Sequence, residues 1–133
     1  MVGILIISHS ANVAAGTAEI ARQMVGDQVP VAYCGGNSAG GIGTDPDAIA
    51  AALKTIYHEA GVIVLADLGS AVMSAELVLD TLIPERRKNV MIANAPLVEG
   101  AVLAAVEASI GKNLIEVVEA AELAGQMRKI ERE

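Results

Sequence analysis

Two runs decide the fold: Gly3-Ile4-Leu5-Ile6-Ile7-Ser8 and Val62-Ile63-Val64-Leu65-Ala66-Asp67. Each is short, apolar throughout its length and finishes on a polar residue. A strand with one wet face alternates apolar and polar residues, whereas a strand covered on both faces does not. Two such runs therefore predict central strands of a sheet with helices on either side.

The chain around them agrees. From Asn12 to Val25, the residues Val13, Thr17, Ile20, Ala21 and Met24 recur at three- and four-residue spacing, which predicts a one-sided helix. Val29–Cys34 reads as a second strand, and the glycine-rich Gly35–Gly43 as a loop. Thr44, Asp45 and Pro46 supply a helix start, with capping side chains and a proline in the first turn, for a helix to about His58. After the third strand come a helix over Val72–Leu82, a fourth strand over Val90–Asn94, and helices near Glu99–Ile110 and Leu114–Lys129. Asn113 and Glu116 have the spacing of a capping box for the last of these. With no internal repeat and no dividing linker, the expectation is one α/β domain. Its sheet is open, doubly wound, mostly parallel and four-stranded, in the order 2-1-3-4, with helices on both faces.

Composition narrows the function. Hydrophobic residues make up 53% of the 133, yet aromatics only 2%, so the core must be built from Ala, Val, Ile, Leu and Met. The formal net charge is −7. That balance repels phosphate backbones, and no aromatic platform exists for stacking bases, so no nucleic-acid partner is expected. Cys34 is the single cysteine, which excludes an internal disulfide and a multi-cysteine zinc site. Val2–Ile7 is too short to span a membrane, and no basic segment precedes it as in a signal peptide. A cytoplasmic protein without membrane contact is expected.

Ligands of open α/β sheets bind beyond the carboxyl ends of strands where the strand order reverses. In the order 2-1-3-4 that point lies between strands one and three. Strand one ends in Ser8-His9-Ser10 and strand three in Asp67-Leu68-Gly69-Ser70-Ala71, so His9 and Asp67 should flank one crevice. Neutral imidazole is a good nucleophile toward phosphorus, and a carboxylate holding one ring nitrogen leaves the other free to attack. The next helix begins nearby, and its positive end favours a bound phosphoryl group. Ser10, Gly43, Thr44, Gly69 and Ser70 are candidate donors to the phosphate oxygens.

Blander roles compete. A lone strand-end histidine is most often satisfied by local backbone, and Asp67 alone would serve as a helix cap. Finding both at one crevice strengthens the catalytic reading. His58, at a predicted helix end, fits an interaction with the helix C-terminus. Gly35–Gly43 lacks the Gly-Lys-Ser/Thr ending of a P-loop, and Gly41-Ile42-Gly43 lacks the third glycine of a dinucleotide fingerprint. Nothing in sequence brings Asp45 and Asp47 to Asp67, so neither a metal nor another cofactor is expected. Cys34 has no neighbouring basic group and reads as a small core residue.

Three motifs in order carry a family resemblance. They are Ile6-Ile7-Ser8-His9-Ser10, then Gly41-Ile42-Gly43-Thr44-Asp45, then Ala66-Asp67-Leu68-Gly69-Ser70-Ala71 with Ser74-Ala75-Glu76. Together they resemble the phosphotransferase subunit of phosphoenolpyruvate-dependent dihydroxyacetone kinase, a relative of the mannose-type enzyme IIA domains of the sugar phosphotransferase system. The resemblance covers nearly the whole chain and implies a single mannose-type enzyme IIA-like domain over residues 1–133.

It further implies that His9 is phosphorylated by the histidine-containing phosphocarrier protein. The phosphoryl group then passes to ADP held in the nucleotide-binding kinase subunit, which phosphorylates dihydroxyacetone bound to a third subunit. Some members carry fused phosphocarrier and enzyme I-like domains. This chain ends at Glu133 with neither, so separate donor proteins are expected. Members are commonly homodimers, and a homodimer is expected here. Mannose-transport relatives usually carry a longer segment after the aspartate, and Asp67-Leu68-Gly69-Ser70-Ala71 matches the kinase branch instead. Two alternatives stand beside this reading: a sugar-transport enzyme IIA, and a non-catalytic regulatory module that uses His9 only for hydrogen bonding.

Overall fold

The computed structural model describes residues 1–132. β1 (Gly3–Ser8) leads into α1 (Ala11–Val25), and β2 (Val31–Gly35) follows. Next come α2 (Pro46–Ile56), β3 (Val62–Ala66), α3 (Gly69–Leu79) and the short α4 (Pro84–Arg87). β4 (Val90–Ile92), α5 (Leu97–Ser109) and α6 (Leu114–Leu123) complete the order. The four strands form one sheet in the order β2-β1-β3-β4, and every pairing is parallel.

β1 and β3 are buried along their whole length, as their uninterrupted apolar runs require. Alternate side chains feed opposite layers. Ile4, Ile6, Ile63 and Leu65 pack with alanines of α1 and α5 and with Val117, Val118 and Ala121 of α6. Leu5, Ile7, Val62 and Val64 pack with Ile49 and Leu53 of α2 and with α3. Small helix residues let these layers approach closely, so a core almost free of aromatics still fills its space.

Several boundaries differ from the sequence reading. β2 starts at Val31 rather than Val29, because Pro30 has no N–H to donate to the ladder. The third helix starts at Gly69, three residues earlier than Val72: the Leu68 carbonyl accepts from the Ala71 and Val72 amides at 2.9 and 3.2 Å. α4 went unread; Pro84 at its first position starts a single turn. The last helix stops at Leu123 and continues only as a 3₁₀ turn over Ala124–Gln126, which contains Gly125. Asn113 and Glu116 do form a reciprocal capping box, and Asp45 caps α2 with Pro46 at its start.

In α1 the buried residues are Ala14, Thr17, Ala18 and Ala21. Val13, Ile20 and Met24, expected on the inner face, are about half exposed. The helix presses its smallest side chains to the sheet, which leaves the larger ones at the margin. Gly16 lies in the middle of this helix, and a Cβ there would meet nothing within 4 Å. A Gly16→Ala variant is therefore expected to gain about 0.5–1 kcal/mol, since glycine costs roughly that much in a helix interior. Urea unfolding checks it; an unchanged midpoint would contradict the account.

Candidate functional site

The site grows from the register of β1 against β3, which sets Ile7 opposite Ala66. His9 and Asp67 thus leave the sheet side by side, and the Asp67 amide donates to the Ile7 carbonyl at 3.2 Å. The Asp67 carboxylate is gripped on both oxygens. Oδ2 accepts from the Ser8 hydroxyl at 2.7 Å and the His9 amide at 3.0 Å. Oδ1 accepts from the Leu68 amide at 2.7 Å and meets His9 Nδ1 at 2.8 Å.

Burial pushes the Asp67 carboxyl up, but the hydrogen bonds from Ser8, His9 and Leu68 outweigh it and hold its pKa at about 2, below the ordinary 3.8. At neutral pH the group is a carboxylate and can only accept. The shared proton therefore sits on Nδ1, and in the neutral ring Nε2 keeps its lone pair. The Ser70 hydroxyl lies directly against Nε2 and, facing that lone pair, is the donor of the two. Ser8, His9, Asp67 and Ser70 form one chain of hydrogen bonds with Nε2 near its outer end. The His9 side chain keeps 18% of its surface exposed.

Two helices begin here. Ser10 caps α1 by accepting from the Val13 amide at 3.3 Å, and its own amide donates to the Ser8 hydroxyl at 3.1 Å. Leu68 gives α3 no side-chain cap, so the opening amides of Gly69 and Ser70 face outward as free donors. A Cβ at Gly69 would meet nothing within 4 Å. An anion on Nε2 would lie at this positive helix end. None of the hydrogen bonds of the cluster comes from Lys or Arg, so the site offers amides and hydroxyls rather than cations.

The remaining predicted residues stand around this centre with their groups engaged. The Gly43 amide donates to the His9 carbonyl at 2.9 Å. Thr44 Oγ1 pairs with Ser74 Oγ at 2.7 Å, one turn of α3 beyond Ser70. Beneath lies a crevice of about 10 Å³ touching Ser8, Cys34, Thr44 and Asp45. Burial, reinforced by the negative charge of Asp45, pushes the Cys34 thiol up to about 11, so it stays protonated and inert. His58 is elsewhere: it directly follows the Tyr57 C-cap of α2, and its Nδ1 accepts from the Ala60 amide at 3.1 Å. Among the described residues, no group of three or more His, Cys, Asp or Glu could hold a metal. No helix among them is long and apolar enough to cross a membrane.

Sequence reasoning singled out no role for Ser8, which is fully buried. A hydroxyl inside a strand covered on both faces must have a partner, and that signal was available. Ser8→Ala is expected to move the Asp67 titration midpoint up from about 2 toward 3.8. The stability tied to this carboxylate is present above the ordinary value and is lost as pH falls toward about 2, so the variant should lose it at higher pH. Carboxyl-carbon NMR titration reads this directly. An unchanged midpoint would remove Ser8 from the chain.

Comparison with known proteins places the chain, not the site. Residues 3–118 match the family model described as the fructose IIA component of the phosphotransferase system. The chain is 37% identical over 98% of its length to the phosphoryl donor subunit DhaM of a phosphoenolpyruvate-dependent dihydroxyacetone kinase from Klebsiella michiganensis. It spans only 28% of that relative. A DhaM subunit of the second such kinase of Listeria innocua is 38% identical, with 80% of this chain and 86% of that protein covered. Among solved structures, a protein of unknown function superposes with a TM-score of 0.83 at 34% identity, covering 95% of this chain and 96% of that one.

Proposed function

Because the chain belongs to the fructose IIA component family of the phosphotransferase system, with the DhaM phosphoryl donor subunits of dihydroxyacetone kinase among its members, we propose that it carries a phosphoryl group on His9 Nε2. The donor is the histidine-containing phosphocarrier protein, and the acceptor is ADP bound in the nucleotide subunit of dihydroxyacetone kinase. One observation carries the reading: the Asp67–His9–Ser70 chain, which fixes Nδ1 as donor and leaves the Nε2 lone pair at an exposed edge.

In the first transfer the Nε2 lone pair attacks phosphorus on the donor's phosphohistidine. The Nε2–P bond forms, the donor's N–P bond breaks, and its electron pair returns to the donor ring. The Ser70 hydroxyl gives up Nε2 and is placed to donate to a phosphate oxygen. Positive charge spreading into the His9 ring is offset by the Asp67 carboxylate, which keeps the Nδ1 proton bound. In the second transfer a β-phosphate oxygen of ADP attacks phosphorus and the Nε2–P bond breaks, returning its pair to Nε2. Phosphoryl transfer needs positioning and charge stabilisation rather than covalent help from further residues, and the carrier supplies a held ring and open amides. Ser10, Gly69 and Ser70 contribute donors to the phosphate oxygens. Gly43 and Thr44 shape the wall beside them.

Incubation with phosphoenolpyruvate, enzyme I and the phosphocarrier, followed by intact mass measurement and acid-sparing phosphopeptide mapping, tests this. One phosphoryl group on the His9 peptide is expected. No uptake, or a label on His58, would overturn it.

A further inference from the structure

We propose that Asn37 is a positioning residue for His9: its side chain turns a glycine-rich loop into a fixed clasp on the His9 carbonyl. The inference rests on the phosphohistidine reading above and extends it to a residue that acts only through others.

Residues 35–43 include Gly35, Gly36, Gly40, Gly41 and Gly43, a composition that favours many conformations over one. The structure shows one arrangement, tied together by Asn37. Its Oδ1 accepts from the Ala39 amide at 3.0 Å and the Gly41 amide at 2.9 Å. Its Nδ2 donates to the Ile42 carbonyl at 3.1 Å. Its backbone adds two bonds: its amide donates to the Gly41 carbonyl at 2.9 Å, and its carbonyl accepts from the Gly40 amide at 3.0 Å. Side chain and backbone of one residue thus hold residues 39–42.

The loop ends where it matters. Gly43, at φ 144°, lies close enough that an added Cβ would stand 3.2 Å from Asn37 Cβ, and its amide donates to the His9 carbonyl at 2.9 Å. Asp67 grips His9 from the β3 side, through the amide and Nδ1. The clasp supplies the opposing hold, from the β2 side, on the carbonyl that leads into the Ser10 cap of α1. Transfer between two proteins requires Nε2 in line with phosphorus, and a misplacement of an ångström is worth about a hundredfold in rate. A loop released from Asn37 would let the His9 backbone, and with it Nε2, drift by part of that distance.

Two variants test the proposal. Asn37→Ala removes all three side-chain bonds; Asn37→Asp keeps the two acceptor bonds and loses the Nδ2 donor. For Asn37→Ala, kcat for phosphoryl acceptance is expected to fall about tenfold, with KM for the phosphocarrier and the unfolding midpoint unchanged. Asn37→Asp sets an oxygen that can only accept against the Ile42 carbonyl, so it should lose kcat as well, its added charge showing in KM. Ring-nitrogen NMR of unphosphorylated Asn37→Ala should show the His9 signals broadened relative to the parent. An unchanged kcat and unchanged ring signals, or a kcat loss matched by a fall in the unfolding midpoint, would overturn the proposal. If the parent takes no phosphoryl group while Asn37→Ala still perturbs the His9 ring, the carrier reading fails and the clasp stands.

Discussion

Asp67→Asn is expected to slow phosphoryl acceptance at least about tenfold and to lower the unfolding midpoint as well. Both effects follow from the donors around the carboxylate. Oδ2 faces the His9 amide and the Ser8 hydroxyl; Oδ1 faces the Leu68 amide and His9 Nδ1. An asparagine has one acceptor oxygen and one NH₂, so either orientation sets an NH₂ against a backbone amide that can only donate. With NH₂ at the Oδ1 position, Nδ1 must become an acceptor; the ring proton moves to Nε2, and the nucleophilic lone pair is lost. With NH₂ at the Oδ2 position the tautomer survives, but the His9 amide loses its partner and the backbone shifts. An orienting carboxylate replaced by its amide in a serine protease loses about four orders of magnitude through the wrong tautomer, which bounds the effect from above. Transfer rate, unfolding midpoint and the ring-nitrogen pattern of His9 are measured together. A stability loss with unchanged transfer would reduce Asp67 to a structural anchor and remove it from the chemistry.

The layout of the sheet was legible because β1 and β3 are continuous apolar runs, and only burial on both faces produces them. The strand order 2-1-3-4 was assumed rather than derived from the residues, and the structure bears it out; given that order, the meeting of His9 with Asp67 followed from the strand ends. The family resemblance, rather than periodicity, supplied the reaction. What escaped depends on contacts that sequence spacing does not encode. The inner face of α1 was misread because Val13 and Ile20 outrank alanine in hydropathy, whereas close layer packing selects for size. The early start of α3 was missed because Gly69 and Ser70 are weak helix formers. Their place at the helix opening is set by the Leu68 carbonyl and by the turn out of β3. Ser8 and Asn37 were passed over for opposite reasons. The first hid inside an apolar strand, and the second sat in a loop whose glycines drew attention to phosphate binding instead.

Gly35→Ala is expected to damage fold and site together. The strand register sets Gly35 beside Ser8, and its φ lies outside the left-handed region, so space rather than conformation demands a glycine. A Cβ there would stand 2.5 Å from the Ser10 carbonyl oxygen, 2.8 Å from its carbon and 3.0 Å from Ala11 Cα. All three are backbone atoms at the start of α1 and cannot rotate away as a side chain would. The Ser10 carbonyl also accepts from the Ala14 amide at 3.0 Å, so moving it disturbs the first helical turn. Either α1 slides along the sheet or β2 leaves its pairing with β1. Overpacking of this kind costs about 1–3 kcal/mol. His9 immediately precedes the displaced residue, so Nε2 should move enough to cost on the order of a hundredfold in transfer. Gly69→Ala is the control: at the first position of α3 a Cβ meets only open space, so that variant should unfold at or above the parent's midpoint. Thermal unfolding and transfer rates of the two variants decide the matter. A Gly35→Ala protein with the parent's midpoint and rate would show that the start of α1 can yield, and that the close approach of β2 to it does not set the position of His9.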